Sequence, residues 1–131
     1  MKATKKGKKE NKTDPKTYSS ILRIVSPNNA FYFFIDAGKY TDKCSTCLAD
    51  FCNTIQTIDI RSVEFHFKRG DFAKWIKGTL GDSELALEIE QVSKTIQGEE
   101  LRKTLHQTVE ARVNKLKKYE ASEEPYLERS G

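Results

Sequence analysis

A chain of 131 residues with 37% hydrophobic and 10% aromatic content suits one domain with one modest core and leaves no room for a second. No apolar stretch approaches the roughly 18 residues of a membrane span, and no apolar signal region follows the lysine-rich start, so a soluble cytoplasmic protein with no membrane partner is expected. Three cysteines, an odd number, fit free thiols in a reducing compartment better than a secreted disulfide framework, and the net charge of +4 is too mild to name a partner by itself.

The charge is unevenly spread. Residues 1–17 carry Lys2, Lys5, Lys6, Lys8, Lys9, Lys12 and Lys16 against Glu10 and Asp14, a balance of +5, which leaves −1 for the rest. With almost nothing apolar to bury, this arm is expected to be disordered, serving either to solubilise the chain or to hold DNA or RNA through non-specific phosphate contacts. Single-stranded binding normally adds exposed aromatic rings to positive charge, and here only Tyr18 stands near the arm.

Ile21, Leu22, Ile24 and Val25 make a short apolar segment, a strand or a lead-in, closed by the turn residues Pro27, Asn28 and Asn29. Residues 30–35, AFYFFI, form a continuous aromatic run of strand length ending at Asp36-Ala37-Gly38, a reversal from which residues 39–43 return antiparallel. Beyond Ser45 the period changes. Leu48, Phe51, Cys52 and Ile55 fall at i, i+3, i+4 and i+7, predicting a helix to about Thr57 with Ser45 or Thr46 as N-cap. Residues 61–68 read two ways, since Val63, Phe65 and Phe67 alternate as in a strand while Ile60, Val63 and Phe67 suit a helix.

Asp71 then caps a helix whose face is Phe72, Trp75, Ile76 and Leu80, and Gly81 ends it. Asp82 or Ser83 starts another, with Leu85, Ile89, Val92 and Ile96 on one face before Gly98 breaks the pattern. Residues 99–119 place Leu101, Leu105, Val109, Val113 and Leu116 along a narrow stripe, and the end of that helix carries Arg112, Lys115, Lys117 and Lys118, which suit the negative end of its dipole. His106 flanks the stripe, residues 120–131 read as a flexible acidic tail, and no internal repeat is present.

The run FHFKRGDFAKWI followed by LGDSELALEI resembles an uncharacterised prokaryotic domain family well represented in archaea. The resembling positions are Phe65-His66, then Asp71-Phe72-Ala73-Lys74-Trp75, then Gly81-Asp82-Ser83-Glu84-Leu85-Ala86, and the upstream AFYFFIDAGKYTD and CLADFCNTI also look like that family's first strand and helix. The likeness covers about residues 30–92 and leaves out both tails and the cysteines. It implies a compact, mostly helical domain with short strands, tips residues 61–68 toward helix, and implies no established activity.

His66, Arg69 and Asp71 make the minimum kit for proton transfer near an anion site. A structural role explains them better: Asp71 as cap, His66 donating to it and locking the turn at Gly70, with Phe65, Phe72, Trp75, Gly81, Asp82 and Leu85 completing a fold-holding set. An imidazole and carboxylate converging on an open, ligand-sized hollow would instead put an active site first. Cys44 and Cys47 have zinc or redox spacing, and Cys52 with His66 would complete four ligands. The second half lacks paired spacing, however, and on a helix Cys47 and Cys52 diverge by about 140°, so no metal or other cofactor is expected.

These readings predict an α+β, mostly helical fold, a short aromatic strand or hairpin packed on four to five helices including a long C-terminal one. The expected organisation is a tail at 1–17, one domain at 18–119 and a second tail at 120–131. The expected function is a small non-catalytic binding or regulatory module acting through protein contacts, or by self-association through the C-terminal helix, with nucleic-acid association through the lysine arm as the alternative.

Overall fold

The computed structural model describes residues 15–130, and side chains over residues 18–120. It is α+β and mostly helical. Helix α1 (Pro15–Leu22) leads through a single 3-10 turn (Pro27–Asn29) into an antiparallel hairpin of β1 (Phe31–Asp36) and β2 (Lys39–Ser45), followed by α2 (Leu48–Thr57), α3 (Ile60–Arg69), α4 (Asp71–Trp75), α5 (Ser83–Glu90) and α6 (Gly98–Ser130). Among the described residues, no helix is long and apolar enough to cross a membrane.

In β1, Phe31 and Phe33 face the core while Tyr32 faces out, as a strand's two-residue period requires. The alternation fails after Phe33, where the hairpin register shifts. Phe31 and Phe33 meet Phe51, Phe72, Trp75 and His66 in an aromatic knot, with Phe31 4.8 Å from both Phe33 and His66 and Phe51 5.3 Å from Phe72. The Trp75 indole N–H is buried with the ring and donates to the Asn29 carbonyl at 2.8 Å, so its polar end is satisfied inside the knot.

Residues 61–68 are helical: Asp59 caps α3 by accepting from the Arg61 amide, and Gly70, at φ 77°, ends it. A strand would have turned Val63, Phe65 and Phe67 to one side together; instead Ser62, Val63, His66 and Phe67 are buried and Phe65 is only half-buried, the pattern of one helix face. The turn leaves no gap before the next helix. Gly70 is also the N-cap of α4, so Asp71 occupies the first helical position, and the cap assigned to it is corrected: its side chain bonds to no amide and turns back toward His66.

Two other boundaries differ from the sequence reading. Cys47, not Ser45 or Thr46, is the N-cap of α2, because Ser45 is drawn fully into the core, where its hydroxyl meets Thr54 at 3.2 Å. The apolar segment at Ile21 is helical, ending α1, with Ile21 buried and Ile24 76% exposed. After Trp75 the helix widens into a π turn (Ile76–Leu80) closed by Gly81 at φ 84°, and Arg23 reaches across to cover the Thr79 carbonyl at 2.8 Å. Helix α5 stops at Glu90, so Val92 and Ile96 pack on the core from the following loop.

The long helix α6 begins at Gly98, whose N–H donates to Glu64 at 2.7 Å, and it runs on past Tyr119 to Ser130, about 50 Å by its rise per residue. Leu101, Leu105, Val109, Val113 and Leu116 are all buried in the chain's own core. The stripe is therefore spent within the protein. Arg112 belongs to that buried face rather than to the solvated helix end: its Nε donates to Asp82 Oδ2 at 2.7 Å and its Nη2 to Oδ1 at 3.0 Å. Asp82 is also the N-cap of α5, accepting from the Leu85 amide, so one buried carboxylate both starts α5 and ties it to α6. The lysine arm from Lys2 to Lys12 lies outside the described residues, and α1 begins within the remainder of that segment, at Pro15.

Candidate functional site

The elements that build the aromatic knot also shape a hollow of about 390 Å³ between the hairpin and the α3–α4 corner. On the hairpin side it is lined by Phe31, Tyr32, Phe34, Asp36, Ala37 and Gly38; on the helix side by Phe65, His66, Arg69 and Asp71. The imidazole and carboxylate do converge on a ligand-sized hollow, against the expectation of a purely packed cluster. Acid–base chemistry must therefore be weighed first.

His66 projects from α3 into the floor, its side chain only 5% exposed, with Phe31, Phe65 and Phe72 rings 4.8 to 5.7 Å from it. The Phe34 amide donates to Nε2 at 2.8 Å, so Nε2 carries a lone pair and the ring proton sits on Nδ1. Nδ1–H in turn donates to Asp71 Oδ2 at 2.7 Å. Burial, aided by the Arg69 charge, outweighs the Asp71 carboxylate and holds the imidazole below its ordinary value. The ring is thus neutral near pH 7, its contact with Asp71 a hydrogen bond rather than an ion pair. Both nitrogens are committed, one to β1 and one to α4, and neither faces the hollow with a lone pair or a proton for a substrate.

Arg69 lies at the rim, its side chain 56% exposed, with Nε 3.1 Å from Asp71 Oδ2 and its guanidinium 4.9 Å from the centre of the Phe65 ring. Of the fold-holding set, Phe65 is consequently half-buried wall, while Phe72, Trp75 and Leu85 are buried. The outer face of the hairpin continues the aromatic surface. Tyr40 lies 5.3 Å from Phe34 and 5.8 Å from Tyr32, and Tyr32 and Tyr40 are 38% and 39% exposed. The Tyr32 hydroxyl donates to the Pro27 carbonyl at 2.6 Å, fixing that ring's tilt. Sequence alone gave no sign of this surface, because it needs the outward side of β1 to meet α3, some thirty residues on in the chain.

The cysteines form no centre: Cys44 is exposed, Cys47 half-buried and Cys52 buried, and among the described residues no group of three metal-ligating side chains gathers. His66 could join such a set only by giving up Phe34 or Asp71. Burial, with Glu110 adding, pushes the Cys52 thiol up to about 11, so it stays protonated. A second hollow of about 480 Å³ lies beside β2 and α2. Its hydroxyls at Thr41 and Thr54 are already donated to the Phe33 and Asp50 carbonyls, and its carboxylate, Asp59, is held by Arg61 at 2.7 Å.

No curated protein and no solved structure matches this chain. A family of unknown function, DUF5752, matches residues 38–110, a span that runs from the hairpin turn through the His66–Asp71 lock and Asp82 to most of the buried stripe of α6. That span exceeds half of the chain, and the protein belongs to the DUF5752 family.

Proposed function

We infer that this chain is a cytoplasmic, non-catalytic binding module that acts through protein–protein contacts, with the hairpin face and the adjoining hollow as its recognition surface. One observation carries the reading: the only imidazole at the hollow is held at both nitrogens, while Tyr32 with its neighbour Tyr40 on the hairpin side and Arg69 on the helix side, residue types that dominate interface energetics, stay partly exposed. The aromatic-His, Asp-Phe-x-x-Trp and Gly-Asp-x-x-Leu-Ala residues then keep the surface in shape rather than act on a substrate. Because the apolar stripe of α6 is buried, a partner is to be sought at the hairpin and not along that helix.

The test is affinity purification from native lysate, with and without nuclease, using the parent and a Tyr32→Ala/Tyr40→Ala variant. Protein partners that persist through nuclease and are lost with the variant support the reading; partners insensitive to the variant contradict it. Nucleic-acid association is the second reading, favoured by the Tyr32–Tyr40 ring pair, which supplies the stacking groups that the lysine arm lacks. It predicts binding to RNA or DNA that weakens with salt and with deletion of residues 1–14.

A further inference from the structure

We propose that the hollow between the hairpin and the α3–α4 corner is a cation-accepting aromatic site, and that it takes the lysine side chain of a partner protein. This rests on the reading of the chain as a protein-binding module. The helix wall already displays such an arrangement: the Arg69 guanidinium lies over the Phe65 ring while its Nε meets the Asp71 carboxylate. A positive charge between a ring face and a carboxylate is favoured by the ring's quadrupole and by direct attraction, and more so where water is partly excluded.

The hairpin wall offers the same chemistry with no cation in direct contact among the described residues. Tyr32, Phe34 and Asp36 follow at two-residue spacing along β1 and line the opposite side of the hollow. Lys39 is paired across from Asp36 in the hairpin register and Arg61 feels the Asp36 charge, yet Arg61 is engaged by Asp59 at 2.7 Å, and among the described residues no cation comes within 4.0 Å of the Asp36 carboxylate. The neutral His66 adds no positive charge. Two carboxylates against one guanidinium leave the lining net negative, which suits an ammonium group on a flexible apolar stem and disfavours a carboxylate.

Arg69 gives the inference a sign. If the occupant is a cation, Arg69 is a like charge at the mouth and its removal tightens binding; if the occupant is an anion, Arg69 is the main attraction and its removal abolishes binding. The experiment is an NMR titration of the full chain, following the Phe34, Phe65 and His66 ring signals. The probes are the N-acetyl, N′-methylamide derivatives of lysine, trimethyl-lysine, norleucine and glutamate. Saturable shifts with both lysine probes are expected, at affinities about tenfold or more above norleucine, the ratio that roughly 1.4 kcal/mol of cation–ring and carboxylate attraction provides. Asp36→Asn weakens the lysine probes and Arg69→Gln tightens them.

A norleucine probe that binds as well as lysine, a glutamate probe that binds best, or loss of binding in Arg69→Gln overturns the inference. So does an oligouridylate that shifts the same rings while the lysine probes do not, since that result points to base stacking. A hollow that takes none of the probes sinks this inference and leaves the nuclease-resistant capture standing. Conversely, capture that ignores the tyrosine variant sinks the protein-binding reading without altering the probe affinities.

Discussion

Replacing His66 with Phe keeps a planar ring of similar size in the aromatic knot and deletes both of its nitrogens. The Phe34 amide, now without an acceptor at a part-buried position, costs about 1–3 kcal/mol. Asp71 loses one donor but keeps Arg69 at 3.1 Å, so its share is about 1 kcal/mol or less. The combined loss of about 1–4 kcal/mol corresponds to a fall in Tm of roughly 5–20 °C for a domain near 100 residues. The effect has a pH signature as well. Burial, with Arg69, keeps the folded imidazole below its ordinary value of 6.5, so the unfolded chain takes up that proton more readily. The parent's stability is therefore full above about pH 6.5 and declines as the pH falls from there toward the lowered folded value. Thermal melts followed by circular dichroism between pH 7.5 and pH 5.5 check both parts. A Phe variant that melts within about 1 °C of the parent with an unchanged pH slope refutes the reasoning.

Asp82→Ala removes the α5 cap and leaves the buried guanidinium only the half-exposed Glu84 at 3.4 Å, and urea unfolding should show a loss of about 3–5 kcal/mol, most of it recovered in Asp82→Ala/Arg112→Leu; no recovery in the double variant contradicts this. Asp71→Ser supplies a good capping residue too short to reach the imidazole, so a melt should show it as destabilised as Asp71→Ala; a tolerated Ser restores the capping role. The Ser62 hydroxyl is buried with no hydrogen-bond partner among the described residues, so Ser62→Ala should be neutral or stabilising by up to about 1 kcal/mol in the same assay. In native thiol labelling Cys44 should react first and Cys52 only on unfolding, being buried and raised to about 11; equal rates argue against the packing of α2.

Local pattern made several elements legible in the sequence. The aromatic run predicts β1, the 3.6-residue period predicts α2, and Gly70 and Gly81 mark turns because the backbone there needs a left-handed conformation. The alternative at residues 61–68 was not decidable locally, since both readings bury Val63 and Phe67; the burial of Ser62 and His66 beside them, with Phe65 left at the edge, is what makes the segment a helix. Asp71 misled for a related reason: a residue before an apolar helix is ordinarily its cap, but Gly70 already serves two helices, leaving the carboxylate free to turn back. Arg112 sits three residues after Val109 and four before Leu116, positions that share the buried face, and that spacing was the available signal. The hydrogen bond from the Phe34 amide to His66 had no such signal. It joins residues 32 apart, at the place where the hairpin register shifts.

The central claim is that His66 fastens the hairpin to the helices with both ring nitrogens and so leaves the hollow to recognition. Long-range nitrogen–proton correlation NMR of the His66 ring at pH 7 tests it most directly. The account predicts a neutral ring protonated at Nδ1, with Nε2 of the unprotonated type and coupled across the hydrogen bond to the Phe34 amide. A ring protonated at Nε2, or one doubly protonated at that pH, contradicts it.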